Sequence, residues 1–143
     1  MKIEHIAIWV RDLEKMKEFY ETYFAGTSTE FYHNKKTGFH SYFINFDSGS
    51  RLELMSKQHL SPRGADSLGY THIALSVGTK ADVDEKFLAA GFPLLNGPRT
   101  TGDGYYEAVI QDPEGNLLEL TTDYQKKHFA TLIMILAKCF FSS

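Results

Sequence analysis

The sequence predicts an α+β fold in which two tandem β-α-β-β-β modules form an open, barrel-like cup. The first supporting observation is a repeat: a His-Ile-Ala string starts at His5 and again at His72, and a Leu-Glu-Leu string is centred on Glu53 and again on Glu119. The His-to-Glu intervals are 48 residues (5 to 53) and 47 residues (72 to 119), which indicates one duplicated unit. The second observation is the order of hydrophobic periods, which changes from strand to helix and back to strand in each half.

Module one begins with a predicted strand over residues 2–10, in which Ile6 and Ile8 share one face and His5 lies on the other. Asp12 is placed to cap a helix whose apolar residues recur at helical spacing, and Gly26 is expected to end it. The apolar helix positions are Leu13, Met16, Phe19, Tyr20 and Tyr23. Strands are then predicted near 28–33, 39–46 and 51–56, the last two joined by a polar turn at 47–50.

Module two repeats this order after a polar linker at 57–69. We expect a strand over 70–77 and a helix over 81–90 that Gly91 ends, with Val83 and Phe87 facing inward. Three more strands are predicted at 92–96, 105–111 and 116–121, with a turn at 112–115. The predicted organisation is a single domain over 1–124 (module one 1–56, linker 57–69, module two 70–124) and an unassigned apolar tail over 125–143.

Composition limits the classes of function. The chain has 143 residues, 43% of them hydrophobic and 23% charged, which is typical of a soluble globular protein. A net charge of −3 without a basic stripe argues against a nucleic-acid partner, and the apolar run at 129–141 is too short to cross a membrane. One cysteine, Cys139, suits a reducing compartment, and residues 1–5 hold no apolar leader, so we expect a cytoplasmic protein.

The duplicated polar residues predict a metal site. Strand alternation places His5, His72, Glu53 and Glu119 opposite the aliphatic rows that the helices would cover. Packing gives no reason to duplicate a His and a Glu, and an unpaired desolvated carboxylate costs several kcal/mol. Two imidazoles and two carboxylates supply four ligands for one divalent metal ion.

Three further residues are candidates for contact with a substrate. Arg51 shares the face of Glu53, where it either pairs with a carboxylate or anchors an anionic substrate; both interpretations remain open. Trp9 shares the face of His5 and either lines the wall of the cup or packs in the core; both interpretations remain open. Tyr106, next to Tyr105 at the start of a strand in module two, is the third.

These residues give the chain a resemblance to the vicinal oxygen chelate superfamily, the group of glyoxalase I, bleomycin resistance proteins and dioxygenases. The resemblance covers about residues 1–124 and is strongest in the duplicated His and Glu residues. Further matches are the Phe-Tyr pair at 19–20 and the Asp-Pro-Glu-Gly-Asn run at 112–116. The Gly-Asp-Gly-Tyr-Tyr-Glu run at 102–107 resembles the glyoxalase-like branch.

The resemblance implies a cup that surrounds one divalent metal ion per site (Ni, Zn, Mn, Fe or Co), built within one chain or across a homodimer that pairs modules of different subunits. The His/Glu/His/Glu set is similar to that of metal-dependent glyoxalase I. It implies a lyase or isomerase that acts on a small substrate with vicinal oxygens, by proton transfer through a metal-stabilised enediolate. In that interpretation Glu119 is the base, and Glu53 is a ligand and second candidate base.

Other members of the superfamily supply alternatives. Glutathione-dependent bacterial enzymes resembling this chain carry an Arg and an Asn where Trp9 and Lys57 stand here, so the resemblance does not extend to glutathione. His5, His72 and Glu119 alone would form the triad of a non-haem Fe(II) dioxygenase, although Glu53 would occupy a position that O₂ needs. Fosfomycin-modifying enzymes use a similar His/His/Glu set. Non-enzymatic drug-binding members typically lack the ligands, whereas this chain has all four.

Overall fold

A computed structural model describes residues 1–47, 49–62, 64, 68–102 and 104–123 of the chain. The predicted tail over 125–143, with His128 and Cys139, lies outside the described residues. Each module contains one sheet and one helix, as predicted. In chain order the elements are β1 (His5–Trp9), α1 (Leu13–Phe24), β2 (Thr27–Ser28), β3 (Tyr32–Asn34), β4 (Phe39–Asn45), β5 (Arg51–Ser56), β6 (His72–Gly78), α2 (Lys80–Ala90), β7 (Asn96–Thr100), β8 (Tyr106–Gln111) and β9 (Leu117–Thr122).

Helix α1 begins as predicted and ends differently. The Asp12 side chain accepts a hydrogen bond from the Lys15 backbone N–H (3.0 Å), which satisfies one of the free donors of the first turn. The left-handed residue at the other end is Ala25 (φ 52°), not Gly26. Gly26 is instead required by space, because a Cβ atom there would lie 2.5 Å from Cγ2 of Ile44.

Helix α2 confirms its predicted end. Gly91 has left-handed geometry (φ 59°), which glycine adopts without steric cost. At the other end Thr79 and Asp82 form a reciprocal capping box, so the helix starts at Lys80, one residue before the predicted start. Both helix starts are thus set by side-chain caps, Asp12 and Thr79, that the sequence encodes locally.

Several strand predictions were wrong in their bounds: the strand predicted over 2–10 spans His5–Trp9, and two others differ in their placement. The run 28–33 contains two short strands, β2 and β3, and both pair with β4. The predicted strand at 92–96 lies instead at Asn96–Thr100. Strand β7 contains Pro98 and lies at a sheet edge, where a missing donor is tolerated.

The two sheets share the same path of four paired strands, and in module one the short strand β3 pairs with β4 in addition. Module one has the strand order β1-β5-β4-β2, and module two has β6-β9-β8-β7. The edge strand is parallel to its neighbour in each case, β1 to β5 and β6 to β9. The register also repeats, since Ala7 lies opposite Glu53 and Ala74 lies opposite Glu119. The duplicated module predicted from the sequence is therefore confirmed in the fold.

One hydrophobic core is shared by both modules. It combines buried residues of α1 and β5, such as Met16 and Leu54, with residues of β9 such as Leu120. Phe19 of α1 contacts Phe92 after α2 with ring centroids 4.9 Å apart. Each sheet turns its helix-covered side toward this core, so the opposite sides, called the outer faces below, lie away from it.

The sheets do not close into a barrel within one chain. Over the ranges that the structure describes, no strand of module one pairs with a strand of module two. The predicted α+β fold of two modules with open sheets is confirmed, and the modules meet through their helix sides. Neither described helix has the length and apolar composition needed to span a membrane.

The turn after β8 fastens the modules together. The Glu114 carboxylate accepts hydrogen bonds from the backbone N–H groups of Arg11 (2.7 and 2.8 Å) and Asp12 (2.7 Å). Within the turn, Asp112 Oδ1 accepts from the backbone N–H groups of Glu114 and Asn116, both at 2.9 Å. Burial raises the pKa of Asp112. The run 112–116 thus serves the fold, by holding module two against the start of α1.

Candidate metal centre

The outer face of module one holds His5 beside Glu53. Strand pairing between β1 and β5 brings the residues together, because Glu53 lies opposite Ala7, two positions along from His5. The His5 Nε2 atom lies 3.7 Å from Glu53 Oε2, and the side chains are 39% and 14% exposed. Phe43 flanks the imidazole edge-on, with ring centroids 5.3 Å apart.

The outer face of module two repeats the pair. His72 Nε2 lies 3.5 Å from Glu119 Oε2, and the side chains are 41% and 19% exposed. Strand β6 pairs with β9 in the register that β1 and β5 use. The same residue types therefore meet at the same place in both sheets.

The spacing of the donor atoms fits shared metal coordination. Two atoms bound to one zinc-like ion at about 2.1 Å, at a tetrahedral angle, lie about 3.4 Å apart. The separations of 3.7 Å and 3.5 Å are close to that value and longer than a normal N–H···O hydrogen bond. Each pair thus has the donor chemistry and spacing for half of a four-ligand site.

The orientation of His5 is fixed by a carboxylate that the sequence analysis missed. Glu4 Oε2 accepts a hydrogen bond from His5 Nδ1 (2.5 Å), which leaves Nε2 facing Glu53. Arg51 donates to Glu4 through Nε (2.8 Å) and Nη2 (2.5 Å), and its guanidinium lies 4.1 Å from the centroid of Phe43. The hydrogen bond with His5 and the contact with Arg51 hold the pKa of Glu4 below its ordinary value.

Of the two interpretations of Arg51, pairing with a carboxylate or anchoring an anionic substrate, the structure shows the first, because Arg51 pairs with the carboxylate of Glu4. Strand alternation does not predict Glu4 as a partner of His5, because in an unbroken strand the two side chains would point to opposite faces. Strand β1 begins at His5, so Glu4 lies outside the alternation. In module two the corresponding contact is neutral, between His72 Nδ1 and Thr71 Oγ1 at 3.2 Å.

One chain does not bring the two pairs together. Within residues 1–123, apart from the few that the structure does not describe, no three His, Cys, Asp or Glu side chains converge in a way that could hold a metal ion. The sequence left open whether the four ligands come from one chain or from two, and the described part of a single chain does not gather them. The physical reason is the shared core, which the helix sides of both sheets border.

Trp9 lies on the outer face of module one, as predicted. Its side chain is 45% exposed and contacts Phe39 edge-on, with ring centroids 6.1 Å apart. The Lys57 ammonium lies 4.6 Å from the Trp9 ring centroid. An aromatic surface with a cation beside it thus borders the His5–Glu53 pair.

Tyr106 lies on the other side of its sheet from Glu119, contrary to prediction. Its hydroxyl donates to Asp84 Oδ1 of α2 at 2.9 Å, which raises the pKa of the Tyr106 phenol. Strand β8 alternates, so Tyr106 and Ala108 face the helix while Glu107 faces outward. Tyr105, just before the strand, lines the outer face instead.

A cleft of about 510 Å³ opens on the outer face of module two. Glu107 is 8% exposed there and is paired with Arg99, whose Nη2 lies 2.8 Å from Glu107 Oε1. Sequence reasoning missed Glu107, although its strand parity within β8 could have placed it on this face. The cleft is lined by Ala74, Ser76, Tyr105, Glu107, Glu119, Thr121 and Thr122.

Two β-α-β-β-β modules with a duplicated His/Glu pair on their outer faces define a two-module α+β protein of the vicinal oxygen chelate type. The family model of the Glyoxalase/Bleomycin resistance protein/Dioxygenase superfamily matches residues 2–120. The chain belongs to this superfamily. A comparison with the curated proteins finds no match.

Solved structures of glyoxalase-family proteins share the fold. The trypanothione-dependent glyoxalase I of Leishmania major is 20% identical, with a TM-score of 0.72 over 97% of this chain and 99% of that one. A glyoxalase family protein from Enterococcus faecalis is 21% identical, with a TM-score of 0.72 over 84% and 96% of the two chains. Lactoylglutathione lyase from Agrobacterium tumefaciens is 24% identical, with a TM-score of 0.61 over 84% and 92%.

Proposed function

We propose that this protein is a metal-dependent lyase or isomerase of the glyoxalase type, which moves a proton between adjacent carbons of a small substrate with vicinal oxygens. The observation that carries the proposal is the duplicated His–Glu spacing of 3.7 Å and 3.5 Å on equivalent strands. Membership of the superfamily supports the class, and its structural neighbours include a glyoxalase I and a lactoylglutathione lyase.

His5, Glu53, His72 and Glu119 would hold one divalent ion, Ni, Zn, Mn, Fe or Co. The ion would supply positive charge that stabilises negative charge developing on the substrate oxygens. Glu119 would take the proton from one carbon and return it to the next, with Glu53 as ligand and second candidate base. Trp9, on the outer face beside the first pair, would contact the substrate. Arg51 would act through Glu4 on the orientation of His5.

The complete site would form in a homodimer that pairs module one of each chain with module two of its partner. Support comes from the edge strands β1 and β6, each of which pairs with one described neighbour only. Further support comes from the outer faces, where His5 and His72 are about two-fifths exposed (39% and 41%) in the single chain. A two-fold dimer would contain two such sites. The single cysteine of the chain suits placement in the cytoplasm.

The first test is metal content together with turnover. Purified protein should contain about one divalent ion per chain, and metal-loaded protein should turn over an α-oxoaldehyde such as methylglyoxal, assayed with and without each of several thiols. Glu119→Gln should abolish turnover because an amide cannot take up the proton. The matched control is Glu18→Gln, which changes an exposed glutamate of α1.

Three outcomes separate the classes of function. Bound metal with turnover that consumes no O₂ is the expected result. O₂ consumption that requires Fe(II) would replace the proposal with a dioxygenase. The absence of bound metal, together with no thermal shift on adding Ni²⁺, Zn²⁺, Mn²⁺ or Fe²⁺, would replace it with a non-enzymatic binding protein.

A further inference from the structure

Module two carries a polar row directly beside its His–Glu pair. Four residues lie opposite one another across the sheet: Ser76 pairs with Thr121, Thr121 with Glu107, and Glu107 with Arg99. Strand alternation puts this row on the outer face, two residues along β9 from Glu119. We call these four residues the polar row.

Module one carries a different row in the same place. Trp9 pairs with Met55, Met55 with Ser41, and Ser41 with Tyr32. These positions match the polar row at offsets of 66 or 67 residues, the offsets that relate the two Glu and the two His residues. We call this set the aromatic row, because Trp9 and Tyr32 both contact Phe39, with ring centroids 6.1 and 6.0 Å apart.

The aromatic row presents apolar surface. Trp9 is 45% exposed and Tyr32 is 54% exposed in the chain, so their rings are available to a planar or apolar group. The Lys57 ammonium lies over the Trp9 ring, 4.6 Å from its centroid. An aromatic or aliphatic group of a ligand would gain apolar contact on this side of the site.

The polar row presents hydrogen-bonding groups instead. The Glu107 carboxylate is bound by Arg99 through Oε1, and Ser76 donates to Asp123. The Thr121 hydroxyl is buried beside Glu107 and has no hydrogen-bond partner within the described part of the chain, so the row keeps unused hydrogen-bonding capacity.

Charge excludes an anionic group from the polar row. The carboxylates of Glu107 and Asp123 lie on or next to this face, beside Glu119, whose charge the proposed metal ion would neutralise, and the cation of the row, Arg99, is already paired with Glu107. An added anion would meet like charge. A neutral hydroxyl group can instead donate to Glu107 without that penalty.

We infer that the substrate has two unlike ends: an aromatic or apolar group bound by the aromatic row, and a neutral, hydroxyl-bearing group bound by the polar row, with the vicinal oxygens between them. This inference rests on the proposed function and on the pairing of module one with module two. The four ligand positions are alike in the two modules, so the flanking rows determine which substrate fits.

Three α-hydroxyketone probes with the same central oxygens test the inference. The two-ended probe is 1,3-dihydroxy-1-phenylpropan-2-one. In 1-hydroxy-1-phenylpropan-2-one a methyl group replaces the hydroxymethyl group, and in 1,3-dihydroxybutan-2-one a methyl group replaces the phenyl ring. Dissociation constants are measured by calorimetric or NMR titration of protein incubated with the divalent metal ion, and the metal bound in each sample is determined. Loss of either end should weaken binding about tenfold, the value of one charge-assisted hydrogen bond or one aromatic contact.

Variants assign each end to its row. Glu107→Gln keeps the shape of the side chain and Thr121→Val is isosteric; both should weaken binding of the two probes with a terminal hydroxyl and leave the phenyl-methyl probe unchanged. Trp9→Ala should weaken the two phenyl probes and leave the dihydroxybutanone unchanged. Equal weakening of all three probes in one variant would mean that this variant has lost binding in general. Equal weakening of all three probes in each of the three variants would overturn the inference.

The remaining outcomes are also decisive. Equal binding of the three probes, or no binding by any of them at 50 mM (an excess over any specific millimolar Kd), would overturn the inference. Metal analysis of the same samples separates this result from failure of the proposed function. If the protein binds no metal but shows the probe pattern, the two-ended site is supported and the proposed metal chemistry is wrong. If it binds metal without the pattern, the proposed function stands and the two-ended site is wrong.

Discussion

At the scale of single residues, the two histidines of the candidate metal centre are oriented by different partners. His5 donates through Nδ1 to the carboxylate of Glu4, which Arg51 holds in place, whereas His72 contacts the neutral hydroxyl of Thr71. A carboxylate behind an imidazole fixes its tautomer and strengthens the other ring nitrogen as a metal ligand. The His5 half of the site should therefore contribute more to metal affinity than the His72 half.

Glu4→Gln should weaken the binding of a divalent metal ion about 10- to 100-fold, because the amide provides a weaker acceptor for His5 and a weaker partner for Arg51. Metal affinity is measured by competition with a chelator of known affinity. Thr71→Val is the matched change on the other histidine, and we expect a smaller loss there. An equal loss in both variants would show that the Glu4 carboxylate has no special effect.

The sequence predicted the side chains of the centre better than their supports. The two His and two Glu residues could be found because they interrupt an apolar alternation twice in the same frame. Glu4 could not be found by parity, since it lies one residue outside β1. Tyr106 was misplaced although parity could have placed it: it alternates with Glu107 along β8 and so faces α2, whereas Tyr105 lies on the outer face.

At the scale of elements, local chemistry determined which boundaries could be predicted. Asp12 and Gly91 are end signals whose effect depends on a few neighbouring residues, and both operate as predicted. The strand starts near 28 and 92 depend on which partner strand is available, and that information is absent from the local sequence. Gly26 shows the same limit, because its requirement comes from Ile44, a residue distant in the chain.

Gly26→Ala should destabilise the fold by about 1–3 kcal/mol, since the added methyl group must displace Ile44 or the adjacent backbone of Tyr20. Gly102→Ala is the matched control: an added Cβ there meets no atom within 4 Å, and that variant should unfold as the wild type does. Denaturant unfolding followed by circular dichroism measures both. A Gly26→Ala protein as stable as Gly102→Ala would contradict the close approach to Ile44.

At the scale of the whole molecule, the relation between the modules is set by the shared core and by Glu114. The core places the helix sides of both sheets together, which keeps the two His–Glu pairs of one chain apart. The sequence predicted both modules and their ligand faces but left open whether the modules of one chain or of two chains would pair. That choice depends on the surfaces between modules, which a repeat cannot reveal by itself.

Glu114→Ala should lower the free energy of unfolding by about 2 kcal/mol, because the backbone N–H groups of Arg11 and Asp12 lose a charged acceptor. Glu18→Ala serves as the control, since it removes an exposed carboxylate from α1. Urea titration of both variants provides the comparison. If the two variants lose the same stability, the contact between the turn and α1 contributes nothing measurable.

The most direct test of the central claim is complementation between two inactive variants. One chain carries His5→Ala with Glu53→Gln, and the other carries His72→Ala with Glu119→Gln. Each variant alone should bind no metal at high affinity. If modules of different subunits pair, a heterodimer contains one intact four-ligand site and one site without ligands.

Co-refolding the two variants in equal amounts should then restore about one quarter of the wild-type metal content, because about half of the dimers are heterodimers with one intact site of two. Metal analysis of the purified mixture, with each variant refolded alone as reference, measures this fraction. Recovery near one quarter is the predicted result. A mixture that binds no more metal than the separate variants, while wild-type protein binds one ion per chain, would contradict a site shared between subunits.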